Sequence, residues 1–535
     1  MGVASATRVN DEFEYERLHA LYKKIDFRIT KNVCNFLQLP VEYAGGKPYF
    51  ADLYLLLRAS VTWSIMARAN KRENKFDRQL IDGPVFSSVW KLAWPTMLQN
   101  MIAGLQGIID HAMVGHMVGY VGNAAIGISW QIFLVVIVFV SSIYIGMGVL
   151  VARLAGAGDG DKVNRVVYQA LLTSIFIACA VLAPLGYFLA PQLISIVKAA
   201  PAVQAEALPY LRIMFVFSIG KLIFFMLGGA LRAAGDAKTP LRLGVLLTVL
   251  NILLNIVLIR GLGPIPAFGT RGAAMGTVIA SGIVAIVGMY LLFSRRLVVY
   301  LSRTMSWRPD SGILIQLFKF GLPSGFQGIA VNVGGVLLLR FVGSLQNSAA
   351  AHAAFTVGYT QLFSLVTWSS VGLMGATATM AGQNLGAGKP ERSKSSVRAG
   401  AMIGLTLAAC IGLAFQFIPQ RLLSIFGMTE IGVVDIAVQL LHYLSLSGFF
   451  ITVALAFTGG LQGTGDTRSP LVISLISQVA IPLGICLLFQ VTRGLHPGDI
   501  WLAILLGHTT RATLSVFRFQ QGKWRDIKVH VGEAG

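Results

Sequence analysis

Charged residues are scarce in this chain. They make up 12% of its 535 residues, whereas ordinary soluble domains carry about 25% charged residues. Hydrophobic residues make up 55%, and only 23 acids and 43 bases are present. So few charges cannot solvate a soluble surface of this size. The composition therefore excludes a series of soluble domains and indicates a polytopic membrane protein.

Cysteine is also rare and forms no pattern that carries chemistry. Cys34, Cys179, Cys410 and Cys486 are widely spaced, so the sequence contains no disulfide framework, zinc spacing or CxxC pair. No GxxxxGK[ST] loop is present, which argues against transport driven by ATP. A membrane-embedded transferase would need paired carboxylates, a metal set or an activated nucleophile, and none is found. We therefore predict that the protein is not an enzyme and uses no cofactor.

The net charge of +20 has a membrane explanation. A nucleic-acid-binding protein concentrates its Lys and Arg on one polar face, but here the bases lie in short runs between long apolar stretches. Such runs are typical of the preference for basic residues in cytoplasmic loops. We therefore expect membrane lipids, and no nucleic acid, among the partners.

Twelve apolar stretches long enough to cross a bilayer follow one another between residues 91 and 518. Only helices or closed barrels satisfy their backbone in lipid, and these stretches lack the alternation and short length of barrel strands. They predict an all-α polytopic membrane protein with 12 transmembrane helices. We predict a cytoplasmic N-terminal extension at 1–88 and a cytoplasmic tail at 523–535. Between them lie two six-helix bundles, at 89–300 and 301–522, around a central cleft.

Loop charge predicts the orientation. Bases are concentrated in the loops after the even-numbered helices and in the C-terminal tail, among them Arg295, Arg296, Lys389, Arg392 and Lys523. The positive-inside preference then places both termini in the cytoplasm of a multi-pass protein of the cell (inner) membrane. In the extension, 51–68 is compatible with an interfacial amphipathic helix. A mobile tail, or a true start at Met66, explains the same residues equally well.

An internal repeat indicates the architecture. The segment LRAAGDAKTP at 231–240 recurs as LQGTGDTRSP at 461–470, an offset of 230, and GAG at 156–158 recurs at 386–388. Each half holds an even number of helices, so both halves cross the membrane in the same direction. Two parallel bundles related by an axis along the membrane normal are a transporter layout.

The repeated motif also predicts a local structure. We expect Gly-Asp to form a turn and Thr239 or Ser469 to cap the next helix. Pro240 or Pro470 would then fit the first turn of that helix.

Asp110 is the most informative residue because it lies within the first predicted helix. An intramembrane carboxylate is costly, faces the bundle interior and usually marks an ion or proton route. Gln106 and Gln99 fall on the same helix face and form a polar stripe with it. We expect this carboxyl to exchange a proton near physiological pH. The alternative is a structural Asp paired with a helix end or a buried base.

Two further features lie within helices. Asn251 and Asn255 are four residues apart on helix 5 and share a face, although buried Asn also serves simply to hold helices together. Lys221 lies in the middle of helix 4. It either pairs with Asp110 across the bundle or extends into a water-filled cleft.

The motifs resemble the multidrug and toxic compound extrusion (MATE) family of antiporters over residues 85–520. The similarity lies in LAWPTMLQN (92–100), IIDHAMVGH (108–116), ARLAGAGD (152–159), LRAAGDAKTP (231–240), LNILLN (250–255), RGAAMGT (271–277), AGQNLGAG (381–388) and LQGTGDTRSP (461–470). The resemblance implies efflux of amphiphilic, often cationic, small molecules in exchange for H⁺ or Na⁺. It also implies that Asp110 is the coupling carboxylate and that Asn251 and Thr277 belong to its pocket. We predict that Asn255 belongs to the same pocket, with Gln99, Gln106 and Lys221 as possible further members.

The sequence departs from the family pattern at two places. Asn255 stands where Asp is common, so a relay of two carboxylates is in doubt. One branch of the family carries a Glu on helix 7 and an Asp on helix 10. In this sequence, Val331 and Asn332 occupy the region of helix 7 where that Glu would lie. Residues 440–460, within helix 10, contain no acid. Sodium prefers hard oxygen ligands, so H⁺ coupling is favoured over Na⁺, and Asn332 remains a possible pocket residue.

Other expectations concern assembly and a related activity. We expect a monomer that binds small amphiphilic molecules. A flippase for lipid-linked precursors would share this fold but would need a strongly basic central cavity, and few bases lie inside these helices.

Overall fold

The computed structural model describes residues 76–302, 305, 308–428 and 430–529, and this part of the chain is almost entirely helical. Most of the predicted extension 1–88, including the segment 51–68 and Met66, lies outside the described residues. The predicted tail 523–535 is described as far as residue 529.

In the described part of the chain, twelve long helices follow the short helix Gln79–Asp82. The first six, α1 to α6, are Val85–Met117, Tyr120–Ala157, Gly160–Ile196, the bent pair Pro201–Val216 and Ile219–Ala233, Lys238–Arg260 and Gly269–Phe293. The second six, α7 to α12, are Ser311–Gly343, Ser348–Gly386, Pro390–Phe417, Ile431–Thr464, Arg468–Thr492 and Pro497–Gln520. Each of the twelve predicted stretches overlaps one of these helices, so the prediction of twelve helices is confirmed.

Length and composition let most of these helices span a membrane. Ten of them are long and apolar enough, and the two parts of α4 together make an eleventh. Helix α1 has 33 residues, which rise by about 50 Å, so it is long enough to cross. Its lower hydropathy follows from the polar residues within its span, which include Gln99, Gln106 and Asp110.

Several helices depart from regular α geometry. The two parts of α4 meet at 52°, where Phe217 leaves the helical conformation with ψ of 26°. Helices α3, α8 and α11 each contain a π-helical segment, at Ile177–Leu182, Thr356–Leu362 and Leu475–Ala480. Such segments occur frequently at functional sites.

The helices form two six-helix bundles with a core in each. In the first, α5 packs against α1 and α6, and α2 packs against α4; in the second, α10 packs against α8, α9 and α12. Apolar side chains fill one core in each bundle and a third between the bundles. We call the end of the molecule formed by residues 76–84, the ends of α2 and α8 and residues 521–529 the terminal face.

The repeat is present in the structure, with one correction. Pro240 and Pro470 are each the third residue of their helix, α5 and α11, as predicted. The predicted capping role of Thr239 and Ser469 is wrong. Asp236 accepts hydrogen bonds from the backbone N–H of Lys238 and Thr239 at 3.1 and 3.0 Å, and Asp466 accepts one from the Ser469 N–H at 3.1 Å. A carboxylate satisfies the free N–H groups of a helix start and also interacts favourably with the helix dipole.

The two bundles meet near the terminal face. A Cβ at Gly156 of α2 would lie 2.0 Å from the carbonyl oxygen of Gln383, and one at Gly386 of α8 would lie 2.0 Å from that of Arg153. These two contacts are equivalent under the offset of 230. Gln383 also donates to the carbonyl of Ala233 at 2.8 Å. Only glycine lets two helix backbones approach this closely.

Candidate functional site

Asp110 of α1 lies against α5. Its Oδ1 accepts a hydrogen bond of 2.8 Å from the Asn255 side-chain amide. The Asp110 side chain is half-buried, whereas Asn255 is completely buried. The helix pair α1 and α5 therefore holds the carboxylate at the edge of the bundle interior, where a proton or a ligand can reach it.

The hydrogen bonds continue from Asp110 into the bundle. The amide of Asn255 also lies 3.4 Å from Oδ1 of Asn251, and the amide of Asn251 donates to the Thr277 hydroxyl at 3.0 Å. Thr277 in turn donates to the Ala273 carbonyl one turn earlier in α6. The structure thus brings the four predicted pocket residues together in one network across α1, α5 and α6.

Gly276 makes room for this network. A Cβ at this position would lie 2.1 Å from Oδ1 of Asn255. That oxygen is buried and accepts no hydrogen bond. Buried polar atoms are rarely left unpaired, so the amide has acceptor capacity for a proton donor or a polar ligand. The RGAAMGT motif contains Gly276, but sequence analysis assigned it no role.

The polar stripe on α1 makes contacts with two other helices. Thr248 of α5 donates to Oε1 of Gln106 at 3.0 Å. Oε1 of Gln99 accepts from Arg232, at the end of α4, at 3.2 Å. Gln99, Gln106, Arg232 and Thr248 all line a small cavity of about 130 Å³ inside the first bundle.

Sequence analysis missed the role of Arg232, although the repeat carried the signal. Between α1 and α7 the repeat has an offset of 228, because Pro95 corresponds to Pro323, whereas the later helices keep the offset of 230. Gln99 and Arg232 of the first half therefore correspond to Gln327 and Gln462 of the second. Gln462 donates to Gln327 at 3.2 Å, in the same way as Arg232 donates to Gln99. Arg232 and Gln462 also line a cavity of about 220 Å³ between the bundles. Comparison of polar residues between the two halves would have found this pair.

Of the two alternatives for Lys221, the ion pair with Asp110 is not formed in the structure. Its ammonium lies 4.6 Å from the ring centroid of Trp130 and 5.2 Å from that of Phe133. No ion pair with Asp110 occurs among the described contacts, although the two charges are close enough to interact electrostatically. The electron-rich faces of aromatic rings attract a cation, and they hold the ammonium away from the carboxylate.

The second bundle has no counterpart of the Asp110 network. Under the repeat, Asp110 corresponds to Leu338, and Asn251 and Asn255 to Ile481 and Ile485. Asn332 donates to the carbonyl of Gly328 in its own helix at 2.8 Å and does not join the network. Among the described residues, no group of three His, Cys, Asp or Glu side chains is arranged to hold a metal ion.

Comparison with known proteins agrees with the architecture. The MatE family model matches residues 95–257 and 323–487, one segment in each half. A probable multidrug resistance protein NorM of Thermotoga maritima is 27% identical over 439 residues, which cover 81% of this chain and 92% of that protein. The multidrug export protein MepA of Staphylococcus aureus is 26% identical, with 79% and 91% covered.

Solved structures show the same fold. The outward-facing conformation of a multidrug resistance MATE family transporter of the MOP superfamily superposes with a TM-score of 0.78 at 20% identity, covering 85% of this chain and all of that one. The two matched segments of the family model together span more than half of the sequence. Twelve helices in two parallel bundles, an internal repeat and these matches lead to one conclusion: the chain belongs to the MatE family of membrane transporters.

Proposed function

We propose that this protein is a secondary antiporter that exports amphiphilic or cationic small molecules in exchange for protons. The observation that carries the proposal is the half-buried Asp110 carboxylate, hydrogen-bonded to the buried Asn255 inside a transporter fold. Antiport requires a site at which the proton and the cargo exclude each other. The charged carboxylate favours a cationic cargo, and protonation removes that attraction.

The cargo class follows from the relatives. The similar proteins of Thermotoga maritima and Staphylococcus aureus are named for multidrug resistance and multidrug export. In this chain, a cavity between the bundles is lined by both apolar and polar side chains, among them Val371, Met374, Asn100 and Arg232. Met-containing surfaces re-pack around ligands of different shape, which favours a broad range of cargo.

The proton is the proposed coupling ion because charged oxygen ligands for sodium are few. In the second bundle, Val331, Asn332 and 440–460 supply no carboxylate. In the first bundle, neutral Asn255 accompanies Asp110. A single carboxylate with an amide partner suits one exchangeable proton better than a hard cation, which needs several oxygen ligands.

We further propose a monomer in the cell membrane, surrounded by lipid, with the terminal face in the cytoplasm. The basic residues at this face support the orientation, since Lys162 lies in the first turn of α3 and Lys389 lies between α8 and α9.

Transport by the purified chain in proteoliposomes tests the proposal. A proton gradient imposed across the vesicle should drive dye export, whereas a sodium gradient alone should not. Asp110→Asn fixes a neutral side chain and should abolish proton-driven export, with folding and insertion retained. Asp161→Asn is the matched control, because Asp161 is an exposed carboxylate in the first turn of α3 whose side chain forms no hydrogen bond or ion pair with the described residues.

Two results would contradict the proposal. Full proton-driven export by Asp110→Asn would remove the coupling role of this residue. If export by the wild type followed only the sodium gradient, the coupling ion would be Na⁺ and not H⁺.

A further inference from the structure

Helix α12 buries two basic side chains inside the second bundle. Arg511 is 7% exposed and His508 is 2% exposed. They are three residues apart, and Ser515 follows four residues after Arg511, so all three lie on one face of the helix. We call His508, Arg511 and Ser515, with Tyr359 of α8, the basic pocket. None of these residues belongs to the Asp110 network.

Aromatic rings of α8 pack against the basic pocket. Phe363 stacks on the imidazole of His508 with ring centroids 5.8 Å apart, and Tyr359 lies 5.6 Å from Phe363. Tyr359 is close enough to Arg511 for the two groups to interact electrostatically. Tyr359 is partly exposed and lies in the π-helical segment Thr356–Leu362. The pocket therefore has one side that is not sealed by the core.

The polar atoms of the pocket lack partners. Nε of Arg511, Nδ1 of His508 and the hydroxyl of Ser515 are buried and form no hydrogen bond. Arg511 forms neither an ion pair nor a hydrogen bond with any described residue. An unpaired buried polar group costs about 1–3 kcal/mol, and more when it is charged, so three such groups together on one face need an explanation.

Among the described residues, no carboxylate forms an ion pair with Arg511. Helices α7, α8 and α11 contain no acid, and the one acid of α10, Asp435, is exposed near the start of that helix. On α12 itself, Asp499 pairs with Arg493 and lies twelve residues away, about 18 Å along the axis. Asp466 pairs with Arg518, which is seven residues beyond Arg511, or about 10 Å. A guanidinium does not lose its proton in proteins, so burial without a counter-charge is strongly unfavourable.

We propose that the basic pocket binds a small anion, either a halide or a carboxylate group. Such a ligand would accept hydrogen bonds from Arg511 and Ser515 and neutralise the buried charge. The first bundle differs, because its half-buried cation, Lys221, lies near Asp110 and against Phe133, the equivalent of Phe363 under the repeat. The two halves would thus hold sites for opposite charges.

Thermal unfolding of the full chain in detergent tests the site. We compare sodium chloride, sodium acetate and sodium gluconate at equal ionic strength, since gluconate is too large for so buried a pocket. Chloride or acetate should raise the wild-type Tm by about 2–5 °C above gluconate. Arg511→Met should lose this difference and should equal or exceed the wild-type Tm in gluconate, because it removes an uncompensated charge. Arg421→Gln, an exposed site outside the membrane core, should respond as the wild type does.

Direct binding makes the test independent of the variants. Radiolabelled chloride should bind the wild type at one ion per chain in equilibrium dialysis. Displacement by acetate would assign the site to carboxylates as well as halides, and displacement by bromide alone would assign it to inorganic anions. Absence of chloride binding together with equal Tm values in all three salts would overturn the proposal. So would an Arg511→Met variant that kept the full anion response.

Discussion

At the scale of single residues, the site depends on amides and a glycine as much as on the carboxylate. Asp110 receives its hydrogen bond from Asn255, and Asn255 fits only because Gly276 has no side chain. Asn255 has an amide N–H that an Asp carboxylate at this position would lack, and it donates this N–H to Asp110. A neutral donor can satisfy the charged carboxylate without adding a second negative charge, which supports the proposed exchange of one proton.

Gly276→Ala should impair transport although the Asp110 side chain itself is unchanged. The added Cβ would lie 2.1 Å from Oδ1 of Asn255, so the amide must move and its hydrogen bond to Asp110 lengthen or break. Overpacking of this kind costs about 1–3 kcal/mol. Dye export should fall at least several-fold, and the Tm should decrease. Gly282→Ala in the same helix is the control, because a Cβ there meets nothing within 4 Å. Equal export by the two variants would show that the position of Asn255 does not matter.

At the scale of elements, helix ends govern how the bundles meet. The ends of α2 and α8 approach each other through Gly156 and Gly386, and each glycine packs on the backbone of the opposite bundle. Sequence repetition makes this contact symmetric, so the two bundles meet at equivalent glycines near the terminal face. Alternating access needs such a contact to open and close.

Gly386→Ala should therefore open the terminal face. Its Cβ would lie 2.0 Å from the Arg153 carbonyl oxygen, and this backbone cannot move alone. Spin labels on Ala157→Cys and Ala387→Cys, measured by double electron–electron resonance in a background without native cysteines, should show longer distances in this variant. Gly375→Ala, in open space on the same helix, should leave the distance distribution unchanged.

The short helix Gln79–Asp82 is tethered to the second half by charge. Lys389 donates to Asp82 at 2.5 Å, and Arg392 donates to the Gly83 carbonyl. The hydrogen bond and charge of Lys389 hold the pKa of Asp82 below its usual value. The tether is therefore present at neutral pH and is lost as the pH falls below about 4, through the lowered pKa.

Hydrogen exchange of residues 79–84 should follow this titration. Protection factors corrected for intrinsic rates should fall in the wild type between pH 7 and a pH well below the usual pKa of an Asp. High salt should lower them at pH 7 because the pair is exposed. Lys389→Gln should show low protection at both values, whereas Lys394→Gln should match the wild type. A pH-independent protection factor in the wild type would exclude the tether.

At the scale of the whole molecule, the two halves have the same fold but different polar residues inside their bundles. The two halves share helix order and turn structure, yet a carboxylate network lies in the first and a buried guanidinium in the second. Backbone symmetry requires only apolar spans and the repeated turn, so polar residues inside each bundle are free to differ.

Orientation is the property of the whole molecule that remains a prediction. A reporter fused after Lys528 should be active only as a cytoplasmic fusion, because the basic loops favour that side. The same reporter inserted at Gly263, in the exposed loop between α5 and α6, should report the opposite side. If the reporter at Lys528 were outside and the reporter at Gly263 were cytoplasmic, the topology would be inverted. If both reporters lay on the same side, the number of membrane crossings between them would be wrong.

The sequence by itself determined the elements of this protein. Hydropathy predicted the twelve helices, because each span must satisfy its own backbone in lipid. The repeat predicted two parallel halves and the equivalence of Pro240 and Pro470. Spacing within one helix placed Asn251 beside Asn255, since residues four apart always share a face.

Only the tertiary structure decided which helices face each other and at what depth. Periodicity fixes neither the rotation of a helix about its axis nor its shift along that axis. It therefore did not reveal that Asp110 bonds to Asn255 while Lys221 lies against Trp130. The capping role of Asp236 and the clearance at Gly276 depend on distances of tenths of an ångström. Arg511 lacks an ion-pair partner because of the residues on all the helices packed around it. The sequence of α12 alone therefore could not predict this.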